Sequence, residues 1–273
     1  MVKKAKKLHV YHNLTDKKGA MSTDRIYVIN ENNDTISVIN GLTNTVITTI
    51  PVGNRPISVN GNSSTNRIYV ANESSDTISV IDGLTNTVIA IIPVGNQPIS
   101  MSVNSYINRI YVANKSSDTI SVIDGLTNTV IATIPVGVQP VCVDVHPYIN
   151  RIYVANELRN TVSVIDGLTN TVIATVSVGN QPAGIGVNRS NNRIYISNKC
   201  SNTVSVIDGL TNTVIAIIPV GNQPTCVDVN SSANRIYIKN EAEDTVSVID
   251  GLTNTVIATV PVADQPTCTD HDF

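Results

Sequence analysis

Residues 67–98 read RIYVANESSDTISVIDGLTNTVIAIIPVGNQP, and this stretch specifies the fold. Its three apolar runs are short, rich in Ile, Val and Thr, and bounded by polar residues, Gly or Pro. That is the pattern of β-strands joined by tight turns. The stretch is one copy of a unit that recurs every 42 residues. The copies begin at Arg25, Arg67, Arg109, Arg151, Arg193 and Arg235.

A fourth short strand completes each unit. In the second copy the strands are predicted at residues 67–71, 77–81, 87–92 and 99–103. One such sheet cannot bury both of its faces, so neighbouring units must stack against each other. A period near 42 residues with four strands is typical of propeller blades. The sequence therefore predicts an all-β fold, a six-bladed β-propeller of four-stranded antiparallel blades with a 42-residue repeat and almost no helix.

The repeated phrases RIYVAN, TISVID and NTVIATIPVG closely resemble the YVTN family of β-propeller repeats. The resemblance extends over residues 21–270 and all six units. It departs from the WD repeat, because the chain has no Trp. The resemblance implies a propeller of a kind often found on surface-layer or cell-envelope proteins, with no enzymatic activity common to the family.

The C-terminal segment suggests how a ring would close. Residues 265–270 (QPTCTD) follow the last complete unit and match residues 223–228 (QPTCVD). We expect the strand at 266–270 to complete the first blade, with residues 8–12 (LHVYH) as the alternative. Residues 1–20 are expected to be a basic tail, either disordered or a cloning remnant. Residues 21–273 are expected to form a single propeller domain.

Charge restricts the partners of the propeller. Only 14% of the residues are charged, against roughly 25% in an average globular chain. The first twenty residues carry a net charge of +5 and the remainder −8. An acidic body disfavours a nucleic-acid surface, since phosphate binding needs clustered Lys and Arg. The sequence shows neither a signal peptide nor a transmembrane segment. It therefore predicts an intracellular monomer by default, without membrane contact.

The six Arg residues that open the units share one register. Each lies two residues before a Tyr, on the same face of its strand. They are expected to bond turn carbonyls or carboxylates, and the alternative is a basic ring that binds anions. The Asp of the phrase IDG is expected to cap the following turn through backbone N–H groups. It recurs at Asp82, Asp124, Asp166, Asp208 and Asp250.

The strands predicted to lie nearest the propeller axis carry oxygen-bearing side chains at one register. Carboxylate, amide and hydroxyl oxygens suit a hard cation such as Ca²⁺, and the alternative is hydrated polar groups around a channel. Apart from this structural cation, no cofactor is predicted. The candidate ion contacts are Asn60, Ser102, Asp144, Asp228 and Asp270.

The cysteines give a weaker indication of metal chemistry. The run Cys142-Val-Asp144-Val-His146 alternates three ligand types on one strand face, but no second ligand pair supports a metal site. The other cysteines are Cys200, Cys226 and Cys268. Four free thiols would suit a reducing compartment, and an even number also permits disulfides.

The near-identity of the units favours a non-enzymatic scaffold for a protein partner or a repetitive ligand, because six equal loops bind such a ligand with avidity. Catalysis needs different groups in different roles, so no catalytic residue is predicted. The few positions that depart from the repeat are Arg55, Tyr106, His146, Tyr148, Arg159, Arg189 and Cys200. The alternatives are a hydrolase or lactonase-like propeller enzyme with an ion in its channel, and a recently amplified repeat without a refined site.

Overall fold

The computed structural model of the chain describes residues 10–13, as backbone alone, and residues 25–263 with their side chains. The chain divides into two compact units, with the boundary between Thr133 and Ile134. Within the described residues, the regular structure consists of β-strands and one 3₁₀ turn at Glu31–Asn33. The expectation of an all-β fold with almost no helix is confirmed for this part of the chain.

The N-terminal unit contains three four-stranded antiparallel sheets, each with its strands in sequence order. Sheet 1 consists of β1 (Val10–Asn13), β2 (Arg25–Asn30), β3 (Thr35–Asn40) and β4 (Thr45–Pro51). Sheet 2 consists of β5 (Pro56–Asn62), β6 (Arg67–Asn72), β7 (Thr77–Asp82) and β8 (Thr87–Pro93). Sheet 3 consists of β9 (Pro98–Asn104), β10 (Arg109–Asn114), β11 (Thr119–Asp124) and β12 (Thr129–Pro135), whose last residues belong to the second unit.

The C-terminal unit repeats the same arrangement. Sheet 4 consists of β13 (Pro140–His146), β14 (Arg151–Asn156), β15 (Thr161–Asp166) and β16 (Thr171–Ser177). Sheet 5 consists of β17 (Pro182–Asn188), β18 (Arg193–Asn198), β19 (Thr203–Asp208) and β20 (Thr213–Pro219). Sheet 6 consists of β21 (Pro224–Asn230), β22 (Arg235–Asn240), β23 (Thr245–Asp250) and β24 (Thr255–Pro261).

Burial differs between the strands of one sheet. In sheet 5 the second and third strands are almost wholly buried, whereas the fourth exposes Ile215 and Ile217. In the C-terminal unit, Tyr153 and Val164 of sheet 4 belong to one apolar cluster with Ile185 and Ile194 of sheet 5. Successive sheets of a unit therefore pack face to face, as predicted from the inability of one sheet to bury itself.

The turns depend on side chains that tolerate a left-handed backbone. Asn170, in the turn between β15 and β16, has φ of 54°, and its N–H donates to the Asp166 carbonyl over 2.8 Å. Asn and Asp adopt this conformation more readily than other non-Gly residues. The abundance of Asn in the sequence therefore follows from the number of such turns.

The first sheet corrects the predicted closure. Its first strand is β1, in which Val10 lies opposite Val28 and Asn13 lies opposite Arg25. The alternative from the N-terminal segment is thus the arrangement found, because β1 occupies the place beside β2 that was predicted for the C-terminal strand. Eleven residues separate β1 from β2, and a connection of that length costs little because loop-closure entropy grows slowly. The segment 266–270 lies outside the described residues.

Candidate functional site

The predicted inner register is present in the structure. In the N-terminal unit, Asn60 lies opposite Tyr69 and Ser102 opposite Tyr111. In the C-terminal unit, Asp144 lies opposite Tyr153 and Asp228 opposite Tyr237. Each unit therefore brings its own candidates to one equivalent position on the first strands. Asp270 lies outside the described residues, so the full set of ion contacts stays a prediction.

Asp144 is held by backbone groups. One carboxylate oxygen accepts the N–H of Val145 over 2.7 Å, and the other accepts the N–H of Val187 in the next sheet over 3.0 Å. The side-chain oxygen of Asn60 likewise accepts the N–H of the residue that follows it, Gly61, over 2.7 Å. Asp144 thus ties β13 to β17. Within the described part of the chain, no three His, Cys, Asp or Glu side chains come together as metal ligands.

His146 replaces the Asn that ends the first strand in sheets 2, 3, 5 and 6. In sheet 5 this residue is Asn188, which donates to Asn234 of the next sheet over 2.7 Å. The His146 side chain is only 1% exposed, and its ring meets that of Tyr148 edge-on at 6.0 Å. Neither ring nitrogen has a hydrogen-bond partner of good geometry. Burial lowers the pKa of His146; the nearby Asn192 side chain opposes this shift, and the positive charge of Arg189 adds to it.

Each Arg of the series makes a side-chain bond within its own unit. Arg25 donates to the Asn86 side chain of the next sheet over 3.0 Å, and Arg67 and Arg193 bind the equivalent turns. Arg109, Arg151 and Arg235 instead pair with the turn Asp of their own sheets. These contacts are those of the predicted structural role. Anion binding by the series stays a prediction.

The turn Asp residues act as caps, as predicted. Asp166 accepts the backbone N–H groups of Leu168 and Thr169 over 2.8 and 3.1 Å. The backbone N–H of Thr169 makes the largest contribution to lowering the pKa of Asp166, and Arg151 contributes further. Asn40 caps the equivalent turn of sheet 1 in the same way, with bonds of 2.9 and 3.0 Å. The caps thus hold the turns, which is the structural role predicted for these carboxylates.

Of the two possibilities that the sequence left open for the cysteines, the structure contains a disulfide as well as free thiols. Cys142 and Cys200 are free, but Cys226 is disulfide-bonded. The Cys200 thiol donates to the Gln181 side-chain oxygen over 2.8 Å. In sheet 3, Ser116 makes the same contact with Gln97 over 2.5 Å. Cys200 therefore takes the place of a structural serine.

A shallow cavity of about 360 Å³, open to the solvent, lies beside sheet 4 in the C-terminal unit. It lies between the loop that follows β12, the turn between β14 and β15, and the strands β15 and β16. One lining side chain, Arg159, is charged, and none is acidic. The lining consists of Pro135, Val136, Gly137, Arg159, Thr161, Ser163, Val172 and Thr175.

Arg159 distinguishes this cavity from the equivalent regions of other sheets. The same position is Ser75, Ser117 and Ser201 in sheets 2, 3 and 5. Within residues 25–263, the Arg159 guanidinium makes no ion pair and no side-chain hydrogen bond. Arg55, in contrast, pairs with Glu31 and Glu73 over 3.0 and 3.1 Å. The sequence already marked Arg159 as a departure from the repeat, but it could not show that a cavity lies beside it.

Comparison with known proteins supports a β-propeller and an enzyme-like relative. A family model described as "Lactonase, 7-bladed beta-propeller" matches residues 127–257, a little under half of the chain. No curated protein matches the sequence. A chain of Kuenenia stuttgartiensis hydrazine synthase is similar in structure, with a TM-score of 0.80 and 16% identity over 96% of this chain and 88% of that one. At this identity the structural likeness shows the fold alone.

The lactonase similarity overturns the prediction of a non-enzymatic scaffold. That prediction assumed that near-identical units leave too few distinct groups for catalysis. The matched stretch, however, contains five of the seven departures from the repeat: His146, Tyr148, Arg159, Arg189 and Cys200. These comparisons support a β-propeller, and the resemblance to the YVTN family in particular stays a prediction. Among the described residues, no helix is long and apolar enough to cross a membrane.

Proposed function

We propose that this chain is a propeller hydrolase that opens lactones, the cyclic esters of hydroxy acids. The similarity of residues 127–257 to the lactonase family carries the proposal. All eight residues that line the cavity beside sheet 4 fall inside that stretch. The cavity is therefore the described site to which the reaction is assigned.

The chemistry needs hydrogen-bond donors that are fixed in advance. When water attacks the lactone carbonyl carbon, negative charge develops on the carbonyl oxygen, and preorganised donors stabilise that charge. Arg159 supplies a guanidinium, and the hydroxyls of Thr161 and Ser163 line the same cavity. The apolar wall formed by Val136 and Val172 suits the carbon skeleton of a small ring. The cavity thus combines donors and apolar surface in the way that a lactone requires.

The lining contains no carboxylate and no imidazole to accept the proton of the attacking water. His146 is too deeply buried to act on a substrate, and the oxygens of Asp144 are bound to backbone N–H groups. Hydroxide from the solvent then adds to the carbonyl carbon, the ring C–O bond to that carbon breaks, and solvent water protonates the departing alkoxide. The rate should therefore rise steadily with pH. A general base would instead produce a plateau or a bell-shaped profile.

The test is a pH-stat assay of the purified chain with a γ-lactone, a δ-lactone and a sugar lactone. Hydrolysis above the buffer rate is expected for at least one substrate. Arg159→Ser, which restores the residue of sheets 2, 3 and 5, should lower kcat/KM about 10²-fold, the effect of losing one oxyanion donor. Arg55→Gln removes the same charge elsewhere, restores the repeat residue, and should leave the rate unchanged.

The outcomes separate the parts of the proposal. If no lactone is hydrolysed above background, lactone hydrolysis is excluded as the function. If hydrolysis occurs but Arg159→Ser leaves it unchanged, the reaction is located elsewhere in the chain. Loss of activity in EDTA with recovery in Ca²⁺ would instead support the ion-dependent form of the enzyme, which draws on Asp144, Asp228 and Asp270.

The number of blades belongs to the same proposal. The family description names seven blades, whereas the sequence has six copies of its unit and the described residues form six sheets. We propose that six blades are sufficient for this protein. A crystal structure of the chain would count the blades directly, and a seventh sheet in the ring would contradict the proposal.

A further inference from the structure

A missing hydrogen-bond acceptor distinguishes sheet 4 from its neighbours. In sheets 2, 3 and 5, the serine of the turn between the second and third strands accepts a backbone N–H from the loop before the sheet. The bonds run from Asn54 to Ser75 (3.0 Å), from Asn96 to Ser117 (2.7 Å) and from Asn180 to Ser201 (2.6 Å). In sheet 4 the corresponding pair is Val138 and Arg159. Because a guanidinium has no acceptor atom, the side chain at this position of sheet 4 cannot accept the N–H of Val138.

The neighbouring hydroxyls also have free donor capacity. Asn156 donates its side-chain amide to Thr161 over 3.1 Å and to Ser163 over 2.9 Å, so both hydroxyls act as acceptors there. Each keeps its own O–H hydrogen to donate. In sheet 2, the hydroxyl of Thr77 lies 3.3 Å from that of Ser75. Arg159 removes this neighbour from Thr161.

The replacement therefore leaves a group of donors without a matching acceptor. The group consists of the Arg159 guanidinium, the N–H of Val138 and the hydroxyls of Thr161 and Ser163. No acidic residue lines the cavity to neutralise it. An oxygen placed where the other sheets have their serine hydroxyl would accept from several of these donors. An anionic oxygen would do so most strongly, because hydrogen bonds to ionised groups are about twice as strong as neutral ones.

We propose that the cavity beside sheet 4 binds a small oxyanion, a carboxylate or phosphate group, whose oxygen replaces the serine hydroxyl that sheets 2, 3 and 5 supply. Arg159 binds the group through its planar pair of N–H donors, a geometry that matches carboxylate and phosphate alike. The apolar residues Val136 and Val172 contact the carbon attached to the group. This inference rests on the arrangement of donors and not on lactone hydrolysis, because an anion can bind whether or not a lactone is cleaved.

The experiment is an NMR titration of the full chain, without any lactone, using acetate and inorganic phosphate as separate probes at constant ionic strength. The Arg159 side-chain N–H signal and the Val138 amide signal are expected to shift and to saturate at millimolar concentration. Acetate saturating alone would identify a carboxylate site, and phosphate saturating alone would identify a phosphate site. Shifts that grow linearly up to the highest concentration of both probes would overturn the proposal.

Three variants keep the test independent of misfolding. Arg159→Ser restores the residue of sheets 2, 3 and 5, so it should fold, and it should weaken binding at least tenfold. Thr161→Val removes one donor and should weaken binding severalfold. Arg55→Gln removes the same charge at a site that already has two carboxylate partners, so it should bind like the unmodified chain. Equal binding by Arg159→Ser would contradict the inference, whatever the lactone assay shows.

Discussion

Sheets 4 and 5 adjoin each other in one unit, and they use the same backbone for different polar contacts. Their strands pair in the same register, with the same irregularity after Pro140 and Pro182. Yet sheet 4 has His146 where sheet 5 has Asn188, and Arg159 where sheet 5 has Ser201. Apolar and turn residues therefore fix the sheet, while a few exchanges at the strand ends change its chemistry.

Core substitutions in sheets 4 and 5 should lower the free energy of unfolding by similar amounts. These should be the largest effects of the series. Ile152 and Ile194 occupy the same position on second strands and are fully buried. Replacing either by Ala leaves a cavity and should lower the free energy of unfolding by about 2–5 kcal/mol. Ile173→Ala and Ile215→Ala, on the half-exposed fourth strands, should cost about 1 kcal/mol or less. Urea denaturation measures all four; unequal core values would show that the sheets are not energetically equivalent.

The capping carboxylates of sheets 4 and 5 should contribute different amounts to the free energy of unfolding. Asp166 pairs with Arg151 of its own sheet, whereas Arg193 turns away from Asp208 to bind the turn of sheet 6. Asn keeps the cap, as Asn40 shows in sheet 1. Asp166→Asn should therefore cost about 0.5–1 kcal/mol, the value of a good ion pair, and Asp208→Asn should cost about 0.3 kcal/mol or less. Equal costs in urea melts would mean that the pair with Arg151 contributes nothing.

Sheet 4 has His146 where sheet 5 has Asn188. This histidine should make the free energy of unfolding depend on pH. Because burial lowers the pKa of His146, the unfolded chain binds a proton more readily than the folded chain. The stabilisation is present above the ordinary pKa of about 6.5 and is lost as the pH falls below it. Each tenfold loss of proton affinity on folding corresponds to about 1.4 kcal/mol. His146→Asn should remove this dependence in urea melts between about pH 7.5 and 5. An unchanged slope in the variant would assign the effect to another group.

The smallest expected difference in stability between the two sheets concerns two buried tyrosines, Tyr153 and Tyr195. Burial raises the pKa of Tyr153 to about 12, and its hydroxyl has no hydrogen-bond partner among the described residues. The hydroxyl of Tyr195 donates weakly to the Gly251 carbonyl over 3.5 Å. Tyr153→Phe should keep or raise stability by up to about 1 kcal/mol, and Tyr195→Phe should lower it by about 0.5 kcal/mol. Thermal melts of both variants measure these changes, and a marked loss of stability in Tyr153→Phe would contradict the prediction.

Much of the candidate site could be predicted from the sequence. The common register of Asp144 and Asp228 follows from the repeat, and His146 and Arg159 stand out as departures from it. The cavity could not be predicted, because it depends on how Arg159 lies against the loop that follows β12. The lost acceptor of Val138 is visible only by comparison with the bonds of Ser75, Ser117 and Ser201 in the structure.

The amino-acid sequence alone specified the strands, the turns and the number of sheets, because these depend on local chemistry that recurs every 42 residues. The tertiary structure was needed to show which strand begins the first sheet, since residues 8–12 and 266–270 were both open to that role. It was also needed to show that Ile194 is buried while Ile215 is not, although both lie in β-branched strands. The β-propensity of the residues cannot distinguish strands of similar composition. Burial depends instead on where each strand lies against the neighbouring sheet.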